Sequence, residues 1–541
     1  MVEKIEGNIV DVLNEKIYPA EIKIAEGKII SISGTSKHYN RYIMPGFVDS
    51  HIHIESSMLT PARFACLAVK HGTVGVVSDP HEIANVAGTD GIDFMIRNSE
   101  TVPLKFFFGA PSCVPATNFE TSGAILNSLN VADLLKRRDI WFLSEVMNFP
   151  GVLNEDPEVL KKIRVSRKLN KPVDGHAPGL RGEQLKKYIN AGISTDHECL
   201  TYEEAVEKIT AGMIIQVREG SAARGFDLFS GLFDEFPGSV MICSDDMHPD
   251  DLLKGHINKL VSRGVKRGIN LFRLLRAAIV NPVVHYGLPV GLLRVGDPAD
   301  MIAVNNLEDF IVSDSWINGE RVYSEGIVNF SASDVNVNFS FRKKHIDFDD
   351  LKVMARGENI KVIKAFDGQL FTGSDIKKAN LDEGIVVADP QRDICKIVVV
   401  NRYSDIPPAA AFVSGFGLKK GAIAGSVSHD SHNVIAVGTL DEEIAAAVNR
   451  VIDMQGGLVA LADGQSETLS LEVGGLMTNS DGADVSEKYR TVECFAKQLG
   501  SSLKSPFMTL SFMALLVIPE LKISDKGLFD VSEFNYTDLF C

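Results

Sequence analysis

Four histidines and two carboxylates carry the chemistry that can be read from this chain: His51, His53, Glu145, His176, His197 and Asp245. Each closes a short apolar run. Neutral imidazole is a common transition-metal ligand and carboxylate oxygens complete mixed donor sets, so the group suits divalent ions. His51 and His53 end the run Pro45-Gly46-Phe47-Val48-Asp49-Ser50-His51-Ile52-His53, and residues two apart on a strand share a face. Both imidazoles then point one way from a rigid element. An HxH spacing alone is weak, because two histidines on a strand are often an ordinary polar edge. Six ligands exceed what one tetrahedral site uses while keeping a position open for water, so two ions are expected.

Gathering such distant residues takes a frame. After the HxH run come Thr73–Asp79, Lys105–Ala110, Ile140–Glu145, Pro172–His176, Ile193–His197, Met213–Val217 and Val240–Asp245. These runs are continuously apolar and β-favouring, as strands buried on both faces of a parallel sheet must be. Between them Asp156–Leu169, Gly182–Ala191 and Tyr202–Ala211 have helical amphipathicity. Eight strand–helix alternations over about 200 residues predict an α/β fold built on a metal-dependent (β/α)8 barrel, with its chemistry at the C-terminal strand ends. The ligands fall there: His51 and His53 on the first strand, Glu145 on the fourth, His176 on the fifth, His197 on the sixth and Asp245 on the eighth. Asp79, His81 and Glu82 follow the second strand and Asp246 follows Asp245. Asp79, His81 and Asp246 are candidates for proton transfer or leaving-group contact. Glu55 and Glu82 are candidates for substrate contact. The Asp79-Pro80-His81-Glu82 segment reads equally as a turn in which Asp79 caps the next element. His248 and His256, beyond the eighth strand, are expected on a surface loop or helix face.

Several stretches carry a family resemblance: PGFVDSHIHIESSMLTP (45–61), SDPHEIANVAG (78–88), SEVMNFPGV (144–152), DGHAPGL (174–180), TDHE (195–198) and CSDDMHPDDL (243–252). The chain resembles the adenine deaminases of the amidohydrolase superfamily, almost from end to end. HxH is shared across the superfamily, whereas the ESS, DPHE and EVMN segments point to this family. The resemblance implies hydrolytic deamination of adenine to hypoxanthine and ammonia, as in purine salvage. It also implies roles: His51, His53 and Asp245 on one metal, His176 and His197 on the other, and Glu145 bridging where many relatives use a carbamylated lysine. Asp245 is the implied proton shuttle. Manganese is the favoured ion, with iron(II) or zinc as alternatives, and a homodimer or larger homo-oligomer is implied. Two other readings compete: a cyclic-amide hydrolase of the dihydropyrimidinase or hydantoinase kind, and a catalytically silent metal-binding scaffold.

At 541 residues the chain is too long for one core. Residues 1–44 and 290–340 both alternate in short β-like pieces, and in amidohydrolase relatives such pieces pair into a small β-sandwich. The barrel then spans 45–289. A charged connector leads to a C-terminal α+β domain over 350–541, with strands Ile394–Asn401 and Val434–Thr439 and helices Asp441–Gln455 and Ser486–Leu499. Within it Gly425–Asn433 places His429 and His432 in a polar segment. That segment is either a lid over the barrel mouth, which makes both histidines substrate-contact candidates, or a plain surface turn. With 55 basic against 71 acidic residues, the net charge of −16 argues against a nucleic-acid partner, so the purine base that the resemblance implies as substrate is expected free rather than embedded in DNA or RNA. Seven scattered cysteines without a CxxC suit reduced thiols in the cytoplasm. The HxE and PCxxC signature of the zinc cytidine and tRNA-adenosine deaminases is missing. The apolar stretch Phe512–Pro519 is too short to span a membrane.

Overall fold

Short strands account for both ends of the catalytic half of the chain in the computed structural model, which describes residues 2–221, 223–335, 337, 339 and 341–541. The chain divides into two compact units. The first comprises Met1–Pro80, Asp93–Ser112 and Asn127–Val335; the second comprises His81–Ile92, Cys113–Leu126 and Asn336–Cys541.

The first unit opens with β1 (Glu3–Asp11), β2 (Lys16–Ala25), β3 (Lys28–Gly34) and β4 (Tyr42–Pro45). Eight parallel strands follow: β5 (Phe47–Ile52), β6 (Thr73–Ser78), β7 (Lys105–Ala110), β8 (Ile140–Val146), β9 (Val173–Gly175), β10 (Thr195–Asp196), β11 (Ile214–Arg218) and β12 (Val240–Cys243). The unit closes with β13 (Met301–Val304), β14 (Val312–Ile317), β15 (Glu320–Ser324) and β16 (Ile327–Val328). The two outer sets form one eight-stranded sheet in the order β16-β15-β14-β13-β4-β1-β2-β3. Ile5, Ile22, Ile24 and Ile43 from the leading set share one core cluster with Met301, Ala303 and Trp316 from the trailing set. The expected small β-structure is therefore a single composite sheet, joined where β4 pairs with β13.

Hydrogen bonding divides the inner strands into a five-stranded sheet, β5 to β9, and a three-stranded sheet, β10 to β12. Ile52 and Asp245 form an isolated parallel bridge, and Ser194 N–H donates to the Val173 carbonyl at 2.9 Å. The fifth and sixth strands are shorter than their apolar runs. A Cβ on Gly175 would stand 2.4 Å from the Thr195 carbonyl oxygen, so glycine lets these two strand ends approach. The intervening helices start as their caps dictate. Asp156 accepts the Glu158 and Val159 amides ahead of Pro157–Lys168, and Thr201 accepts the Glu204 amide ahead of Tyr202–Thr210.

The second unit holds an eight-stranded sheet in the order Gly373–Lys378, Asn359–Lys364, Ala409–Ser414, Cys395–Val400, Val434–Gly438, Ala422–Gly425, Gly457–Ala462, Gln465–Ser470. Helix Asp441–Asp453 buries Ile444, Ala447, Val448 and Val451 against Val398, Ala424, Val434 and Ala436. This is the helix stripe of one face that period 3.6 predicts. His81–Ile92 and Cys113–Leu126 lie within the stretch assigned to the barrel by sequence, yet cluster here. Hydrogen bonds tie both segments in: Gly123 N–H donates to the Asn85 carbonyl at 2.7 Å, Asn433 Nδ2 donates to the Thr121 carbonyl, and the Thr121 amide donates to Asp525. Among the described residues no helix is long and apolar enough to cross a membrane. All seven cysteines are free thiols.

Candidate metal centre

The six expected ligands converge in the first unit, each carried at or just beyond a strand end. His51 is in β5 and His53 follows it; Glu145 is in β8; His176 follows β9, His197 follows β10, and Asp245 lies two residues past β12. Backbone bonds fix the join between the first and last of these strands, with Asp245 N–H donating to the His51 carbonyl at 2.9 Å and His53 N–H to the Asp245 carbonyl at 3.3 Å. Asp245 has φ 55°, a left-handed conformation that aspartate tolerates better than most residues. Tyr188 supports the fifth strand, its hydroxyl accepting from His176 N–H at 3.1 Å and donating to the Val146 carbonyl at 2.9 Å. Buried Lys208 bonds Asp196 at 2.9 Å and so anchors the residue before His197.

The donor atoms form a tight, buried cluster. His51 Nε2 lies 3.2 Å from His53 Nε2 and 3.5 Å from Asp245 Oδ1. His53 Nε2 is 3.3 Å from both Asp245 Oδ1 and Glu145 Oε1. Glu145 Oε2 reaches the other way, to His176 Nδ1 at 2.7 Å and His197 Nε2 at 3.2 Å. The His51 and His197 rings stack at 4.3 Å.

One tautomer decides what the cluster can hold. His53 Nδ1 lies 3.1 Å from the Asp79 carbonyl oxygen, which can only accept, so Nδ1 carries the proton. In the neutral ring Nε2 then turns a lone pair toward two carboxylate oxygens and the His51 nitrogen. Four such acceptors at this spacing repel one another unless positive charge, as protons on the rings or a metal ion in their place, stands among them. Metal–ligand bonds of ~2.1 Å at angles of ~90–110° would set donor atoms about 3.0–3.4 Å apart, close to most of the spacings found, while the 2.7 Å His176–Glu145 contact is a direct hydrogen bond. The electrostatics agree. Burial opposes a charge on His53, but Asp245 and Glu145 outweigh it and hold the ring well above the ordinary histidine range. Burial also works against ionised Glu145, yet His176 and His197 keep it well below the usual carboxylate range.

The comparisons with known proteins agree with this chemistry. Residues 42–322 match the amidohydrolase family, and residues 369–535 match the adenine deaminase C-terminal domain. Adenine deaminase of Methanosarcina barkeri is 52% identical over 544 residues, covering 99% of both chains. That of Sulfurovum sp. is 52% identical over 539 residues, covering 99% of both, and that of Salinibacter ruber 50% identical over 540 residues, covering 99% of this chain and 98% of its own. The chain belongs to the adenine deaminase family.

The other expected site residues of this adenine deaminase family member divide between the units. Asp79 is buried in the first unit, its N–H donating to the Ile52 carbonyl at 3.1 Å. Asp246 accepts from Ser56 Oγ at 2.6 Å. Glu55 is buried, in a 3-10 turn over Ile54–Ser57 rather than on a continuing strand. His81, Glu82, His429 and His432 belong to the second unit, where His429 Nδ1 lies 3.2 Å from Glu82 Oε1 and His81 Nε2 3.9 Å from Asp430 Oδ1. Segment 425–433 is buried except for a half-exposed Val427, so it is not a surface turn.

His256 and His248 correct the expectation of a surface loop or helix face, for both are buried. His256 Nε2 bonds Asp49 at 2.8 Å and its Nδ1 meets Thr73 Oγ1 at 2.6 Å, tying the HxH strand to the second strand and to the helix after the eighth. Two residues were missed altogether. Arg218 ends β11 and reaches Asp245, and Glu198, already visible in TDHE, pairs with it. A lone arginine closing an apolar run whose neighbouring strands end in ligands was the available signal.

Proposed function

We propose that the chain carries out the reaction that names its family, hydrolytic deamination of adenine to hypoxanthine and ammonia. The observation that carries this is the buried cluster itself, in which His53 Nδ1 is committed to the Asp79 carbonyl while Nε2 faces carboxylate oxygens of both Glu145 and Asp245. In this reading the five- and three-stranded parallel sheets are two arcs of one (β/α)8 barrel over 45–289, and the chain also carries the composite sheet and a C-terminal domain over 350–541.

His51, His53 and Asp245 would hold one divalent ion, His176 and His197 a second, and Glu145 both. Manganese is the proposed ion, since a mixed nitrogen and oxygen set accepts manganese, iron(II) and zinc alike and the family resemblance favours the first. Bound there, the ions supply Lewis acidity that brings the ionisation of water into the neutral range. Asp245 presents Oδ1 to the histidines while Arg218 holds Oδ2 at 2.7 Å. Asp245 takes the proton of the attacking water as oxygen bonds to C6, then delivers it to the adjacent ring nitrogen. The amine leaves as ammonia when the C6–N bond breaks, taking the second proton of the water and leaving the C6 carbonyl of hypoxanthine. Asp79, His81 and Asp246 are proposed to assist proton transfer. Glu55, Glu82, His429 and His432 are proposed to contact substrate, because buried carboxylates and imidazoles offer the acceptors and donors that a purine edge requires. A cytoplasmic location suits seven free thiols, and a homo-oligomer is proposed from the family resemblance.

The test is chelation followed by restoration with manganese, zinc or iron(II), assayed on adenine, adenosine, cytosine and dihydrouracil. Ammonia from adenine alone, saturating at two ions per chain, is the expected result. Turnover of dihydrouracil alone would move the assignment to the cyclic-amide hydrolases.

A further inference from the structure

Glu198 has the placing of a further ligand. It follows His197 directly, is buried, and sets Oε1 3.8 Å from His176 Nδ1 and 3.9 Å from His197 Nε2. These three side chains can offer donor atoms close enough together to share one ion. Yet both carboxylate oxygens are engaged by Arg218, with Nη1 against Oε1 and Nη2 donating to Oε2 at 2.7 Å. The same Nη1 donates to Asp245 Oδ2 at 2.7 Å. The guanidinium is itself fixed by register: Arg218 pairs with Cys243 across β11 and β12, two residues before Asp245. A planar fork of fixed donors holds two carboxylates in set orientations, where a flexible ammonium could not.

We propose that Arg218 is a positioning residue that withholds Glu198 from the ion at His176 and His197 and limits Asp245 to one oxygen toward His51 and His53. Catalytic sites differ from structural ones in keeping a coordination position open. With Arg218 in place, each half of the centre retains room for water and substrate. Without it, Glu198 swings onto the His176–His197 side and Asp245 becomes free to chelate with both oxygens. The centre then binds metal at least as well and turns over poorly. This inference rests on the two-ion reading of the centre.

The experiment uses the manganese-loaded full-length protein and the variants Arg218→Met, Arg218→Lys, Glu198→Gln and the double variant Arg218→Met with Glu198→Gln. Arg218→Met should lower kcat on adenine by about 10- to 100-fold. KM should stay within about threefold, since Arg218 does not touch substrate. Elemental analysis should still find two ions per chain, and a competing chelator should remove them more slowly than from the parent. Adding Glu198→Gln should recover a large part of the lost kcat and restore fast release. Arg218→Lys keeps the charge without the fork and should show the same direction of change, which covers failure of the methionine variant to fold. Loss of an ion on Arg218 replacement, or rate effects that simply multiply in the double variant, overturns the proposal. A parent protein that saturates below two ions refutes the two-ion reading instead.

Discussion

Replacing Glu145 by glutamine tests the central step of the reasoning, because this side chain alone faces both halves of the centre. Its Oε1 lies 3.3 Å from His53 Nε2, and its Oε2 lies 2.7 Å and 3.2 Å from the His176 and His197 nitrogens. Glutamine has the same shape but one acceptor end. Whichever way the amide turns, an NH2 group replaces an oxygen donor on one side, and a full negative charge is lost from a buried site. Removing one partner of a buried charged pair costs about 3–5 kcal/mol. Carried into transition-state binding, that corresponds to a loss of roughly two to four orders of magnitude in kcat. Three measurements on one preparation check it: steady-state ammonia release from adenine, metal content after gel filtration in metal-free buffer, and thermal unfolding. The expected outcome is a turnover loss of that size, retention of one ion where the parent keeps two, and a folded protein. A variant that keeps both ions and stays within tenfold of the parent rate would refute the bridging role and, with it, the account of why the fourth strand ends in a carboxylate.

Metal uptake should release protons, because Asp245 and Glu145 hold His53 above its ordinary range and His197 is pushed up to about 9 against its burial. Against its burial, His176 is raised as well by Glu198 and Glu145; calorimetry in buffers of different ionisation enthalpy should show net proton release on metal binding and affinity rising with pH, whereas zero release would contradict the geometry. In the second unit Lys522 Nζ donates to the Leu370 and Phe512 carbonyls at 2.9 Å each, and burial pushes it down from 10.5 to about 7. The folded value lies below the unfolded one, so the unfolded chain binds the extra proton between pH 7 and about 10 and stability rises with pH across that window, by at most about 1.4 kcal/mol per unit. Denaturation midpoints at pH 7 and pH 9 should show this rise in the parent and lose it in Lys522→Met; equal slopes would rule Lys522 out as the source.

The sequence made most of the catalytic frame legible because a parallel strand buried on both faces must be apolar along its whole length. Phe47–Ile52, Thr73–Ser78 and Lys105–Ala110 lie where such runs place them. The fifth and sixth strands are shorter than their apolar runs, at the place where Gly175 and Thr195 approach closely and the hydrogen-bonded sheet is interrupted, which no local pattern announces. Residues whose roles depend on remote partners were the ones misread or missed. His256 finds Asp49 across 207 positions, and a histidine near a helix start looks like a surface residue until that partner is known. Arg218 closes an apolar run as the expected ligands do, but its partners Glu198 and Asp245 lie 20 and 27 positions away, so its sequence neighbourhood does not show what it pairs with. The ligands themselves were visible for the opposite reason. Each one breaks the apolar run that carries it.

The charge inventory explains why the arginine belongs with the ligands. Glu145, Asp245 and Glu198 bring three negative charges into a buried cluster whose only permanent positive charge on these side chains is Arg218. Before metal arrives, the raised proton affinity of His53, His176 and His197 offsets part of the excess. On the proposed two-ion reading, divalent ions would replace those protons and turn the net charge of the cluster positive, which favours ionised water over neutral water at the same place. A third carboxylate bound directly to an ion would undo part of that gain and fill the position that water needs. Pairing Glu198 with a guanidinium keeps its charge near enough to stabilise the histidines and far enough to leave the ions open. On the proposed reading the arrangement separates the two tasks asked of acidic residues here: Glu145 and Asp245 would hold the ions, and Glu198 would tune the field around them.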